Sequence, residues 1–188
     1  ILIGMYQNDW RIFAKEKVRY LGDVVAAVAA TDPDIASEAL ELIDVEYEEL
    51  PAVFDPLEAL SPDAPVIHDL FPGNIGARRR IRKGDPDKIF EKAERVFEDT
   101  FKTQMVDHCP IEPHAAVADF DISGKLTIWS CTQAPFNNRV LLSRALQIPM
   151  NKIRIITTHV GGAFGGKQDL MAEPACALLA RKTGRPVK

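Results

Sequence analysis

Apolar and polar positions change period several times along the chain, and each change predicts an element. Val24 to Ala30 is a short continuous apolar run of the kind found in a strand. Asp32-Pro33 then marks a helix start, Asp as N-cap and Pro in the first turn. Ile35, Ala39, Leu42 and Ile43 recur at helical spacing, and Val45, Tyr47 and Glu49 alternate with acids as in a half-buried strand. The first fifty residues thus predict a strand–helix–strand unit. Residues 51–72 hold five prolines among polar and acidic residues and read as a long connector.

The second half repeats the helix-start device at Asp85-Pro86-Asp87, ahead of Ile89, Phe90 and Ala93. Residues 96–105 read as a strand. Residues 115–120 and 126–129 read as a hairpin turning at Ser123-Gly124. Residues 136–146 have helical spacing, 153–157 form a strand, and 168–182 form a helix with Pro174 early in it. Strands and helices interleave with some antiparallel pairing, which makes the chain α+β. A domain boundary is expected near residues 70–80, dividing the chain into 1–75 and 76–188.

Composition narrows the classes. A chain of 188 residues, 46% apolar, fits one medium domain or two small ones. The net charge of −4 argues against a nucleic-acid surface. The one basic cluster, Arg78-Arg79-Arg80-Ile81-Arg82-Lys83, reads as a solvated connector. Cys109, Cys131 and Cys176 form no C-x-x-C pair and read as reduced core thiols of a cytoplasmic protein. No stretch has the length of a membrane span and there is no signal-peptide pattern. The ends, Ile1 without an initiator Met and Pro186-Val187-Lys188 where a new strand begins, read as those of a piece of a longer polypeptide.

The chemistry concentrates in Gly161-Gly162-Ala163-Phe164-Gly165-Gly166-Lys167-Gln168, between a strand and a helix. Such a loop offers main-chain N–H groups to an anionic or oxo-rich ligand. Gly161 to Lys167 fits G-x-x-x-x-G-K, but a phosphate-binding loop then needs Ser or Thr for magnesium, and this chain has Gln168. A nucleotide hydrolase using this loop is therefore an alternative reading only. His108, Cys109, Glu112 and His114 hold metal-ligand side chains, but Pro110 and Pro113 prevent the helix that would bring Glu112 beside His108. No metal site is assigned to them.

Three segments in order resemble the molybdenum-binding subunit of the xanthine dehydrogenase and aldehyde oxidase family. They are the loop itself, close to that family's GGGFGGK; residues 108–118, HCPIEPHAAVA; and residues 129–136, WSCTQAPF. Residues 17–28 and 45–51 are similar to the end of the family's preceding small domain. The resemblance implies the end of a small hammerhead-like α/β domain followed by the first part of the large molybdenum-binding domain. It also implies a molybdenum–pterin cofactor, iron–sulfur clusters and FAD on partner domains or subunits, and oxidative hydroxylation of an N-heterocycle such as a purine, or of an aldehyde. In this reading Gln133, Gly162, Ala163, Phe164 and Gly165 contact the cofactor, with the Gln133 amide beside a molybdenum oxo ligand. Phe164 and Gln168 line the substrate pocket, where the animal xanthine oxidases carry Glu in place of Gln168. The family's catalytic glutamate falls beyond Lys188, so no catalytic residue is assigned and the 188 residues alone are expected to be inactive. Ala163, where the family more often has Gly, is compatible only with an ordinary backbone angle. Lys167 neutralises nearby charge or pairs with an acid of the following helix. A non-catalytic scaffold that has lost the cofactor is the remaining alternative.

Overall fold

The computed structural model describes residues 2–188. Its helices and strands run in the order α1 (Pro33–Glu41), α2 (Pro86–Lys92), β1 (Ala116–Phe120), β2 (Leu126–Ser130), α3 (Pro135–Leu146), β3 (Ile153–Thr157) and α4 (Glu173–Thr183), with short 3-10 turns between. The chain divides into two compact units. One is formed by residues up to Ala52 together with His108–Lys188, the other by Val53–Asp107.

The first unit is organised by a three-stranded sheet in the order β1-β2-β3. β1 and β2 form the expected hairpin, antiparallel with Ala118 opposite Ile128. Its turn is closed by Asp121, whose Oδ1 accepts from the Ser123 amide (2.8 Å), the Ser123 hydroxyl (2.7 Å) and the Lys125 amide (2.9 Å). β3 lies parallel to β2, Ile128 opposite Ile155, and α3 is the crossover between them. On the free edge of β1, Ala118 and Val187 exchange two main-chain hydrogen bonds of 2.9 Å each, so the chain does return to strand pairing after α4.

Ala116, Ala118, Leu126, Ile128 and Ile153 point from the sheet into one core. Helix α4 packs on β1 and α3 on β3, and they add Leu141, Leu142, Leu146, Ala177 and Ala180. Small residues on β1 and α4 let helix and strand approach closely. Ile3 also enters this core and exchanges main-chain hydrogen bonds with Trp10. Helix α4 begins at Glu173, later than the apolar spacing predicts. Pro174 belongs in a first turn, and the Asp169 carboxylate engages the Leu170 amide (2.9 Å) and the Met5 amide (3.1 Å) instead of continuing a helix.

Only the helix of the predicted strand–helix–strand unit forms regular structure. The Asp32 carboxylate accepts from the Asp34 amide at 2.8 Å, as an N-cap should. Its apolar face, including Ile35, is nonetheless exposed. Residues 24–30 and 45–49 belong to no ladder among the described residues. The reason is physical: a strand exists only where a second backbone accepts its hydrogen bonds, and periodicity does not supply one.

In the second unit, Asn74 ties the proline-rich segment together. Its Oδ1 accepts from the Ile67 amide (2.9 Å), and its Nδ2 donates to the carbonyls of Ala59 (3.1 Å) and Pro65 (3.0 Å). Asp85 caps α2, and Arg82 pairs with Asp85 and Asp87. Residues 77–83, including the basic run, are exposed. Residues 96–105, expected as a strand, are exposed and belong to no ladder among the described residues. Among the described residues no helix is long and apolar enough to cross a membrane.

Leu142 is fully buried between α3 and the sheet. Leu142→Ala should destabilise the purified protein by about 2–5 kcal/mol through lost burial and the cavity left behind. Urea denaturation followed by circular dichroism measures this.

Candidate functional site

The site is assembled at one edge of the sheet. Because β2 and β3 are parallel, their C-terminal ends, Ser130 and Thr157, lie together. The segment after β2 carries Thr132 and Gln133, and the segment after β3 carries the glycine loop. Gln133 Oε1 accepts from the amides of Gly165 (3.1 Å) and Lys167 (3.2 Å), and the Gln133 main-chain amide donates to the Lys167 carbonyl (2.9 Å). With two N–H donors facing it, that oxygen is fixed in orientation, and Nε2 is the group turned away from the loop. The Thr132 hydroxyl donates to the same Lys167 carbonyl (3.2 Å) and accepts from the Ala134 amide (3.0 Å) and Asn138 Nδ2 (2.7 Å). Thr132 therefore serves the start of α3, and Gln133 serves the loop.

A second fastening comes from residues 108–112. The Glu112 amide donates to the Gly161 carbonyl (3.1 Å), and Glu112 Oε2 accepts from the Gly161 amide (2.8 Å) and from Lys167 Nζ (2.7 Å). Packing is tight enough to require glycine at 161 and to crowd any side chain at 166. A Cβ on Gly161 would lie 2.6 Å from Glu112 Cβ, and one on Gly166 would lie 3.1 Å from the His108 ring. Gly162 takes φ +91° and Gly165 φ +92°. Ala163 is absent from the left-handed region, so its methyl is accommodated, and it is buried. Phe164 does enter that region at φ +51° and is 74% exposed. It is a ring held outward on a strained backbone and not a core anchor.

Lys167 is only 1% exposed. Burial alone would lower its pKa, but the hydrogen bond to Glu112 and the nearby Cys131 thiol raise it, and the net direction is upward. The Lys167 hydrogen bond, then the Gly161 amide, hold the Glu112 carboxyl below the usual carboxylate range. The acid paired with Lys167 is thus fifty-five positions upstream and not in the following helix. The acid of that helix, Glu173, is buried and accepts from the Ser130 hydroxyl (2.5 Å) and the Met171 amide (2.8 Å).

These fastenings leave a defined donor set. The amides of Gly161, Gly165, Gly166 and Lys167 all have acceptors within the protein. Among the described residues none faces the amides of Gly162, Ala163 and Phe164. Three successive N–H groups, two on positive-φ residues, are a donor set of the kind that anion-binding backbone nests use. The same geometry disfavours a phosphate loop, because Lys167 is sunk in an ion pair and the first loop amide is already taken. Gln168, half-buried next in the chain, accepts from the Tyr6 hydroxyl at 2.9 Å.

Residue types and spacing alone missed three features. Glu112–Lys167 joins residues without any local periodicity. Tyr6 is far from Gln168 in sequence. Cys109, expected as a core thiol, is exposed at φ +43° between His108 and Pro110. Cys131 and Cys176 are buried as expected.

A domain that positions a glycine loop and a side-chain amide at the C-terminal edge of parallel strands is a ligand-holding module of the α/β kind. Comparison with known proteins gives it a family. Residues 67–188 match the molybdopterin cofactor-binding domain, and residues 2–51 match the a/b hammerhead domain of aldehyde oxidase and xanthine dehydrogenase. The chain is 41% identical over 185 residues to a probable xanthine dehydrogenase subunit from Bacillus subtilis (strain 168), covering 98% of this chain and 25% of that protein. It is also 41% identical to the nicotinate dehydrogenase large molybdopterin subunit of Eubacterium barkeri, covering 98% and 43% respectively. Among solved structures, quinoline 2-oxidoreductase from Pseudomonas putida 86 superposes with a TM-score of 0.84 at 34% identity, covering 100% of this chain and 25% of that one. Aldehyde oxidoreductase from Desulfovibrio gigas gives 0.86 at 31%, covering 94% and 19%. The chain belongs to the molybdopterin-binding molybdenum hydroxylase family, and it spans less than half the length of these relatives.

The Glu112–Lys167 pair generates a pH prediction. Glu112 is depressed, so its contribution is present above the ordinary glutamate pKa of about 4.3 and disappears as pH falls through its lower folded value. Lys167 is raised, so its contribution is present below the ordinary lysine pKa of about 10.4 and disappears as pH rises through its higher folded value. The stability difference between wild type and a Glu112→Gln/Lys167→Met double variant should be flat between these limits and narrow beyond each. Urea midpoints measured across pH check it.

Proposed function

We propose that this chain is the part of a molybdenum hydroxylase that begins the cofactor cradle. In this reading residues 2–51 close the hammerhead-like domain and residues 67–188 open the molybdopterin-binding domain. The observation that carries it is the row of three amides, Gly162, Ala163 and Phe164, left without acceptors among the described residues on a loop pinned from behind by Glu112 and Gln133. Such a donor set fits a molybdenum–pterin group: it is neutral and preorganised, and the absence of a Cβ atom at Gly162 lets the Phe164 ring and Pro110 pack against the loop. When bound, that group supplies the two-electron redox chemistry of substrate hydroxylation.

The chain's own residues then have distinct tasks. Gly162, Ala163 and Phe164 offer main-chain hydrogen bonds to the cofactor. Gln133, assigned direct cofactor contact on resemblance alone, spends its carbonyl oxygen on Gly165 and Lys167, and only its Nε2 is available for the ligand. Gly165 likewise acts through Gln133, since its amide donates there. The Phe164 ring and Gln168 face substrate, the ring excluding water and the amide offering a hydrogen bond. The substrate class is an N-heterocycle, purine included, or an aldehyde, in the manner of xanthine dehydrogenase. The proton-accepting glutamate, the iron–sulfur clusters and FAD lie outside these 188 residues, on the same or partner chains, and the enzyme works in the cytoplasm.

Molybdenum per protein, measured by plasma mass spectrometry together with pterin fluorescence, tests the reading. Near-stoichiometric molybdenum with pterin is expected in protein from its native host. Absence of both from intact protein would turn the reading into a scaffold that has lost its cofactor. Gly162→Val, which places a β-branched side chain at φ +91°, 3.3 Å from the Phe164 ring, should lower the molybdenum content at least several-fold.

A further inference from the structure

The residue that follows the glycine loop carries its own orienting partner. Gln168 is half-buried, and its Oε1 accepts from the hydroxyl of Tyr6, at 2.9 Å, across 162 positions of sequence. Tyr6 stands beside a second tie between the same two segments, the Met5 amide donating to Asp169 Oδ2 at 3.1 Å. The N-terminal segment is thus fastened to residues 168–169 at two adjacent points, and Ile3 anchors it in the core. Tyr6 is otherwise 82% exposed, so its ring is not held there by burial.

A free glutamine amide is ambiguous, because it can turn either its oxygen or its NH2 group toward a ligand. A phenol hydroxyl can donate or accept; here, in a solvent-exposed contact, it donates to Oε1 and so favours one orientation of the amide. The oxygen is committed, and Nε2 with two hydrogens is the group left to present. We infer that Tyr6 is a positioning residue that sets Gln168 as a hydrogen-bond donor, so that this part of the pocket selects a substrate with an unprotonated acceptor, a ring nitrogen or a carbonyl oxygen. The inference rests on the proposed reading in which Gln168 faces substrate. It adds a residue from outside the loop and a polarity to the recognition. A glutamate at this position would offer the reverse polarity, accepting from a ring N–H.

The test uses the full-length enzyme with its molybdenum content measured, in wild-type, Tyr6→Phe, Gln168→Leu and Gln168→Glu forms. The probes are purine and its deaza analogues, in each of which one acceptor nitrogen is replaced by C–H, and quinoline with naphthalene. Binding is read by calorimetry on cofactor-depleted protein, and turnover on the loaded enzyme. Wild type should prefer the nitrogen-bearing member of at least one pair. Tyr6→Phe should reduce that preference by about threefold to tenfold, in Kd and KM with kcat little changed, as expected for one hydrogen bond's worth of orientation. Gln168→Leu should abolish it, and Gln168→Glu should invert it toward ligands that present N–H. If Gln168→Leu abolishes the preference and Tyr6→Phe leaves it intact, the role of Tyr6 is overturned while Gln168 remains in the pocket. If neither variant changes it in molybdenum-containing enzyme, or no acceptor-bearing probe is preferred, the inference fails and the cofactor reading stands. Protein without molybdenum or pterin would remove the reading on which both rest.

Discussion

The site depends on the fastening of one glycine-rich loop to two segments that precede it. Glycines at 161, 162, 165 and 166 give the loop little conformational preference of its own, so its shape has to be imposed. Glu112 imposes it at both ends of the loop at once, one carboxylate oxygen binding the Gly161 amide and Lys167 Nζ. Gln133 imposes it near the middle and end, through the amides of Gly165 and Lys167. What remains unconstrained by these ties is the stretch between them, Gly162 to Phe164, and that stretch carries the unused donors.

The sheet makes the fastening possible. β2 and β3 run parallel through the crossover helix α3, which puts the ends of both strands on one edge. Ligands of open α/β sheets gather at such edges because successive loops leave the sheet in the same direction. Here the first loop supplies Thr132 and Gln133 and the second supplies the glycines. The β1–β2 hairpin brings the segment before β1, with Glu112, to the same edge, since the start of an antiparallel partner lies beside the end of its neighbour. Three stretches distant in sequence therefore converge without any long excursion of the backbone.

Burial decides the electrostatics. An unpaired Lys167 at 1% exposure would be strongly disfavoured, so Glu112 is needed for the fold as much as for the loop. Once paired, the lysine adds little net charge to the face of the loop, and the groups that the loop leaves without protein partners among the described residues are oriented main-chain dipoles. Dipoles held in place before a ligand arrives need no reorganisation when it binds. This separates the loop from nucleotide loops of similar spacing, whose lysine has to be available to the phosphates.

Local chemistry in the sequence determined the parts whose physics is local. Asp32-Pro33 and Asp85-Pro86 set helix starts, Asp121 to Lys125 set a hairpin turn, and the apolar spacing at 136–146 and 153–157 set α3 and β3. The three motifs in order marked the family. Tertiary structure alone decided what involves partners far apart. Residues 24–30, 45–49 and 96–105 have strand-like patterns, yet the described chain supplies no ladder for them, and a strand is a property of two backbones. Which acid meets Lys167, which group meets Gln168, and whether Gln133 faces the loop or the ligand depend on how the sheet folds Glu112, Tyr6 and the strand ends together. Side-chain type fixes which hydrogen bonds are possible, but only the fold brings a particular donor within about three ångströms of a particular acceptor.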